Sequence, residues 1–282
     1  MNATPAPMPA VNPWLPRMFR IAEIIAEIPS VRTFRLAPES DETPDFLPGQ
    51  FNMVYLPGYG EAAISISSGS HELRQMDHTI RAVGDVTKAI MRLGPGDQVG
   101  IRGPFGNPWP VARLRGKDVL LVAGGIGLAP LRPVIEYLLQ NRREFGELKL
   151  IYGAKTPEEL LYQRQFPAWA IAGLEMEVTV DRGTSAWKGH IGVVTELMRP
   201  LHGAKGKTTI LTCGPEIMMR FVAREAINLG YDAGEIYVSL ERNMKCAMGM
   251  CGVCQFGREF ICKDGPIFPF PRVASLMQLE DL

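Results

Sequence analysis

Four cysteines close to the C-terminus constrain this chain more than any other feature. Cys246, Cys251, Cys254 and Cys262 follow the spacing C-x4-C-x2-C-x7-C. The first three match a spacing by which thiolates hold a [2Fe–2S] cluster. Gly249 and Gly252 stand among them and reach dihedrals closed to other residues, so the backbone can wrap tightly. Wrapping aims several N–H groups at one centre, which offsets the negative charge of thiolates and sulfides. Cys262 is expected to close the site from a strand at Glu259–Ile261. The rival is a zinc site with four cysteine ligands. Structural zinc usually takes two short-spaced pairs, and here only Cys251 and Cys254 form one, so the cluster is favoured. A Rieske centre needs two histidines, and no histidine lies beyond His202. Disulfides are disfavoured because nothing marks export.

The segment from about Gly234 onward is too small for its own core. A metal centre must hold it together, and it must dock on what precedes it. The chain has 282 residues, enough for two domains plus this appendage. Hydrophobic residues make up 46% and charged residues 21%, which suits a globular protein with substantial cores. Lysine plus arginine equals aspartate plus glutamate at 30 each, so no net field favours nucleic acid or an anionic membrane. No stretch approaches the length of a bilayer span. Met1 to Pro16, rich in proline and alanine, lacks the basic and apolar regions of a signal peptide and reads as an extended arm. The expected location is cytoplasmic.

Residues 17–112 read as a β-barrel. Short strands are expected at Arg17–Ile25, Val31–Leu36, Phe51–Leu56, Ala63–Ser67, His78–Val83 and Gln98–Ile101, with turns at Pro48-Gly49, Pro57-Gly58 and Gly94-Pro95-Gly96-Asp97 between them. One short helix is expected at Val86–Arg92. Residues 113–232 change rhythm to an α/β parallel-sheet domain. Its strands are expected at Val119–Ala123, Lys149–Tyr152, Glu175–Val180, Thr209–Thr212 and, just beyond, Ile236–Ser239. Helices are expected at Leu131–Gln140, Pro157–Phe166, Val193–Met198 and Glu216–Leu229. Residues 233–282 are the cluster segment.

Val119 to Pro130 is a strand running into the turn Gly124-Gly125-Ile126-Gly127 and then a helix. Such a turn leaves N–H groups free where a pyrophosphate can sit. Alone it is as often structural as ligand-binding, and it is not the G-x-G-x-x-G fingerprint. It gains weight from Cys213-Gly214-Pro215, which also ends a parallel strand. Ligands bind at the carboxyl ends of such strands.

The order GGIGLAP, then CGP after a later strand, behind a β-rich first domain, resembles the ferredoxin–NADP reductase superfamily over nearly the whole chain. The resemblance implies a flavin-binding barrel and an NAD(P)-binding second domain. Gly124, Gly125, Gly127 and Pro130 would meet the dinucleotide, and Cys213, Gly214 and Pro215 the nicotinamide. With a C-terminal [2Fe–2S] segment, the chain is similar to electron-transfer subunits of dihydroorotate dehydrogenase and to one of the subunits of anaerobic sulfite reductase. It is similar also to gamma subunits of NAD(P)-linked nickel–iron hydrogenases (sulfhydrogenases). The stretches Ala63 to Ser68, Gly103 to Asn107, Trp187 to Gly192 and Met248 to Cys254 carry the likeness to the hydrogenase and sulfite-reductase type.

The resemblance places the flavin on Ile64, Ser65, Ile66 and Ser67, on Thr79, Ile80 and Arg81, and on the turn Gly84, Val86 and Thr87. The family's R-x-Y/F-S strand falls on Ala62 to Ser65, where the arginine and the aromatic are both missing. Their loss removes a phosphate contact and a stacking ring. On that stretch alone a packing strand is the better reading. Arg81 could replace the missing cation, and the Gly84 turn suits FAD, with FMN as the alternative. A nicotinamide gives two electrons together and a cluster takes one, so flavin belongs between them. The expected partner is another subunit of a redox complex, hydrogenase-type first. A self-sufficient reductase and a non-catalytic cluster-bearing module are the alternatives. Cys213 reads as a small residue beside the nicotinamide and not as a nucleophile. Lys155 and Arg182 end strands on the binding edge, where they are either 2′-phosphate ligands or ordinary loop charges, so NAD against NADP stays open. The aromatic tail Phe256, Phe260, Phe268 and Phe270 reads as packing.

Overall fold

Alternating apolar residues build six antiparallel strands first. They are β1 (Arg17–Ile28), β2 (Val31–Pro38), β3 (Phe51–Leu56), β4 (Gly60–Ser65), β5 (Met76–Arg81) and β6 (Gln98–Phe105). They pair in the order β4-β3-β6-β1-β2-β5. The two edge strands meet at an antiparallel bridge between Ile66 and His78, which closes the sheet into a barrel. Phe19, Ile21, Phe34, Leu36, Val54, Ile80, Val99 and Ile101 fill it. Helix α1 (Asp85–Ile90) covers one end. This computed structural model describes residues 12–39, 45–69, 75–199 and 206–278. Most of the expected arm (1–11), together with His71 and His202, lies outside the described residues.

Strands β1, β2 and β6 run past their expected ends to Ile28, Pro38 and Phe105, and β4 and β5 are displaced for local reasons. β4 starts at Gly60, not Ala63, because Gly58 and Gly60 adopt positive φ (82° and 106°) and turn the chain straight into pairing. β5 spans Met76–Arg81, not His78–Val83, because the Thr87 hydroxyl takes the N–H groups of Val83 and Gly84 out of the sheet.

The second sheet contains β7 (Asp118–Gly124), β8 (Leu148–Ala154), β9 (Glu175–Val180), β10 (His190–Ile191), β11 (Thr208–Cys213) and β12 (Ile236–Ser239), all parallel. The chain leaves β7 through β8, β9 and β10, then returns to the other side of β7 as β11. That reversal makes the β7/β11 junction a topological switch point, where open α/β sheets bind ligands. Helices α2 (Leu128–Gln140), α3 (Phe166–Ile171), α4 (Val194–Met198) and α5 (Glu216–Asn228) cover the sheet.

The helix expected at Pro157–Phe166 does not form. Two single 3-10 turns occupy Pro157–Glu159 and Gln163–Gln165, and Pro167 opens α3 instead. Tyr162 interrupts the run with φ at 57°, because its hydroxyl lies 2.6 Å from Thr79 Oγ1 in the barrel. A tertiary contact overrides local helix propensity there.

The last segment adds a hairpin, β13 (Gln255–Phe256) and β14 (Glu259–Phe260), then α6 (Ile261–Asp264). Cys262 therefore lies in a helical turn and not at the end of a strand through Ile261. Ile261 leaves the pairing because Asp264 accepts from the Phe260 N–H and starts the turn. β15 (Ile267–Pro269) then pairs antiparallel with β12, so the segment becomes the edge of the second sheet before α7 (Phe270–Val273).

A buried polar seam joins the barrel to the nucleotide sheet. Asp77 is fully buried and bonds Arg35 through Nε (3.0 Å) and Arg132 through Nη1 (3.2 Å). Arg132, from α2, also donates to the Ser67 carbonyl (3.0 Å) and lies over the Tyr162 ring. The hydroxyls of Thr33, Ser67 and Tyr162 all lie within 2.9 Å of Thr79 Oγ1. Removing one partner of a buried ion pair costs about 3–5 kcal/mol. Arg132→Met should therefore lower stability in urea unfolding by about 3 kcal/mol. An unchanged midpoint would show that apolar packing alone holds the seam.

Candidate functional site

The two glycine-bearing turns touch each other at the switch point. β7 ends at Gly124, a single 3-10 turn spans Gly125–Gly127, and α2 begins at Leu128. A Cβ on Gly127 would sit 2.2 Å from the Cys213 carbonyl oxygen. One on Gly214 would sit 3.0 Å from the Gly124 nitrogen, and one on Gly124 would sit 2.4 Å from Met218 Sδ. Only glycine allows this backbone-to-backbone approach. Pro130 lies in the first turn of α2, where its missing N–H would be unpaired anyway, and its carbonyl accepts from Trp109 Nε1 (3.1 Å).

Tyr152 fixes the turn from below. Its hydroxyl donates to the Gly125 carbonyl (3.1 Å) and accepts from the Leu161 N–H (3.1 Å). Burial pushes its pKa up to about 12, so it stays a neutral donor. Burial also pushes the Cys213 thiol up to about 12, against the opposing effect of Ser239. A neutral thiol of that kind is no nucleophile. At the far end of the edge, Asp181 and Arg182 donate their N–H groups to the carbonyls of Ala154 and Lys155 (both 3.0 Å), which draws the two strand ends together.

The barrel face divides the expected flavin residues. Ile64, Ile66 and Ile80 turn their side chains to the barrel core. Ser67 and Thr79 are buried, and their hydroxyls are engaged in the domain seam. The Thr87 hydroxyl closes its own turn by accepting from Val83 and Gly84 N–H and donating to the Gly84 carbonyl, while Val86 packs on the barrel core. Ser65 and Arg81 remain partly accessible. Arg81 reaches across the seam, with Nη2 3.7 Å from where a Cβ on Gly125 would stand. The structure thus brings Arg81 and the glycine turn together.

His78 supports this face from inside. Burial holds its pKa down from 6.5 to about 4, so the ring is neutral. Its Nδ1 lies 3.0 Å from the Ser65 carbonyl and must be the protonated nitrogen. Nε2 then accepts from Asn52 Nδ2 (3.1 Å). Sequence reasoning missed His78, Tyr152, Tyr162 and Arg132 as supports of the site. Each acts through residues distant in the chain, and no local spacing marks it.

In the cysteine loop, backbone donors face sulfur. Cys246 Sγ accepts from the N–H groups of Met248 (3.4 Å) and Met250 (3.3 Å), and Cys262 Sγ from Gly249 (3.1 Å). Burial alone would raise the Cys246 thiol, but these donors outweigh it and hold the pKa at about 6. Cys262, pressed by burial and by Cys254, is pushed up to about 12. Among the described residues no three His, Cys, Asp or Glu side chains converge as a single-ion site.

Residues 121–224 match the oxidoreductase NAD-binding domain, and residues 241–274 match the iron–sulfur cluster binding domain of dihydroorotate dehydrogenase B. The chain is 35% identical over 284 residues to sulfhydrogenase 1 subunit gamma of Pyrococcus furiosus, which covers 97% of each protein. It is 38% identical over 256 residues to the probable dihydroorotate dehydrogenase B (NAD(+)) electron transfer subunit of Methanocaldococcus jannaschii, covering 90% of this chain and 89% of that one. The chain belongs to the ferredoxin–NADP reductase-like family of iron–sulfur electron-transfer subunits. A solved NADH-dependent reduced ferredoxin–NADP oxidoreductase superposes on this electron-transfer subunit with a TM-score of 0.74, 27% identity and coverage of 97% of this chain and 96% of that one. The ferredoxin NADP+ reductase of Neisseria gonorrhoeae, solved with FAD and NADP, shares the fold at a TM-score of 0.67 and 20% identity, over 78% of this chain and 96% of its own. No helix among the described residues is long and apolar enough to cross a membrane.

Two outcomes follow for the electron-transfer subunit. Gly127→Ala must push the turn off Cys213, at a cost of about 1–3 kcal/mol for overpacking. The KM for NAD(P)H should rise about tenfold, and an unchanged KM would show that the turns can separate freely. His78 is neutral when folded and takes a proton when unfolded between pH 6.5 and about 4. Stability is therefore present above pH 6.5 and is lost as pH falls through this window, by about 3 kcal/mol for this group. His78→Gln should flatten that slope in chemical unfolding between pH 7 and pH 4 (about the titration window), and a superimposable profile would contradict a neutral buried imidazole.

Proposed function

We propose that this electron-transfer subunit binds NAD(P)H at the switch point, FAD on the barrel face and a [2Fe–2S] cluster on Cys246, Cys251, Cys254 and Cys262. It exchanges electrons with other subunits of a cytoplasmic complex, hydrogenase-type in the first place. The observation that carries this reading is one shared core. Phe51 and Met53 from the barrel, Met219 from α5, Val238 from β12, and Cys254, Cys262 and Phe256 from the last segment pack together, with Ala63 and Met218 against them. Ala63 stands on the expected flavin strand and Met218 lies under Gly124 and Gly214. Three functional segments therefore converge on one place.

The residues fit the groups. Two irons take two thiolates each, which Cys246, Cys251, Cys254 and Cys262 would supply. The donors on Cys246 and Cys262 offset the negative charge there. For FAD, Ser65 and the backbone of Ile64, Ile66, Ser67, Thr79 and Ile80 form the contact strands. Arg81 is the phosphate cation in place of the arginine missing at Ala62, and Gly84, Val86 and Thr87 are the pyrophosphate turn. When bound, FAD takes the electron pair of the nicotinamide and releases electrons singly. The chain itself supplies placement. Gly124, Gly125, Gly127 and Pro130 receive the dinucleotide, and Cys213, Gly214 and Pro215 line the nicotinamide, with Cys213 buried and Pro215 exposed. The units are 17–112, 113–232 and 233–282.

A dihydroorotate dehydrogenase partner is the second reading, favoured by the likeness to the Methanocaldococcus jannaschii protein and by the match over 241–274. Either partner requires electrons to leave through the cluster. Cys254→Ser should abolish reduction of a one-electron protein acceptor while NAD(P)H still bleaches the flavin and reduces a two-electron quinone dye. Equal loss of both activities would place the cluster outside the electron path.

A further inference from the structure

Arg102 stands on β6 with its side chain 3% exposed. It forms a two-bond fork with Glu61 on β4, Nε to Oε1 at 2.8 Å and Nη2 to Oε2 at 2.6 Å. The same guanidinium donates to three backbone carbonyls, those of Lys245 (3.2 Å), Cys246 (3.5 Å) and Pro13 (2.9 Å). It therefore grips the first cysteine of the loop from the barrel.

The grip falls on the two peptides just before Ala247. Ala247 has φ at 63°, a left-handed conformation that costs a residue with a Cβ about 1 kcal/mol. A trans peptide points its N–H opposite to its carbonyl. With both carbonyls turned to Arg102, the N–H ends of those peptides face away from it. The chain then reverses at Ala247, and the following N–H groups of Met248, Gly249 and Met250 fall on Cys246 Sγ and Cys262 Sγ. Ala247 is buried against the cluster-side core, so the strained turn is enclosed.

We propose that Arg102 is a positioning residue that sets the reduction potential of the metal centre, with Glu61 as its counterweight. This rests on the reading that the four cysteines hold a [2Fe–2S] cluster. Reduction adds one negative charge to such a cluster. A buried cation beside Cys246 favours the reduced form, and so does the set of N–H donors that it holds in place. Glu61 opposes the first effect with its charge and aids the second by holding the guanidinium. Because Glu61 lies on the strand that carries Ala63 and Ser65, the pair also ties the cluster loop to the barrel strand expected to face the flavin.

The test is a redox titration of purified holoprotein, followed by the electron paramagnetic resonance signal of the reduced cluster, with iron and sulfide analysis. Arg102→Gln should make the cluster harder to reduce by about tenfold in equilibrium constant, which is about 59 mV for a one-electron couple. Glu61→Gln should shift the potential in the opposite direction, because it leaves the cation less compensated. A residue that served folding alone would not give shifts of opposite sign. Arg102→Gln with full iron content and an unchanged potential would overturn the proposal. So would loss of the cluster in Arg102→Gln combined with an unchanged potential in Glu61→Gln. Wild-type protein without iron and sulfide would overturn the cluster reading itself, an outcome distinguishable from a normal cluster that ignores both substitutions.

Discussion

The arrangement depends on the inability of the last segment to fold alone. It has too few apolar residues to enclose a core, so it borrows surface from both domains. Phe51 and Met53 face outward from the barrel and give it one wall, while Met219 and Val238 give it another. β15 then extends the second sheet, and Asn107 on the barrel side bonds the backbone at Gly265 and Asp264. The cysteine loop is thereby held between barrel strand β3 and helix α5. Electron transfer needs such proximity, and here the packing requirement of a small segment supplies it.

The remaining chemistry is mostly the suppression of charge and reactivity. Cys213, Tyr152 and His78 are all driven by burial to their neutral forms. The nucleotide edge thus offers dipoles and close backbone, with little that could take part in acid–base or nucleophilic side reactions. Among the buried charges, two arginines act as hubs. Arg132 binds Asp77 and the Ser67 carbonyl at the seam, and Arg102 binds Glu61 and the carbonyls of the cysteine loop. Each guanidinium suits the task because its planar fork satisfies several acceptors at once.

Much of this was legible in the sequence because it rests on local spacing. The cysteine pattern, the glycine turns and the alternation of strands and helices are short-range signals, and the elements they indicate are present. The failures are long-range. The helix expected at Pro157–Phe166 is broken because Tyr162 is drawn to Thr79, a partner far away in the chain. Cys262 sits in a helical turn and not at a strand end because Asp264 captures the Phe260 N–H. The Thr79 hydroxyl also bonds Tyr162 of the nucleotide domain, a contact that no local spacing marks. No residue spacing could have announced Arg102, whose partners lie on β4, on the loop at Lys245 and at Pro13.

The central claim is a continuous path from nicotinamide through flavin to the cysteine-held cluster. The direct measurement is an anaerobic titration of purified protein with NADH and, separately, NADPH, followed in the visible spectrum and by electron paramagnetic resonance. A continuous path requires flavin absorbance to bleach together with the appearance of a reduced-cluster signal, driven by one of the two nucleotides. A cluster spectrum without flavin, unchanged by either nucleotide, would contradict it.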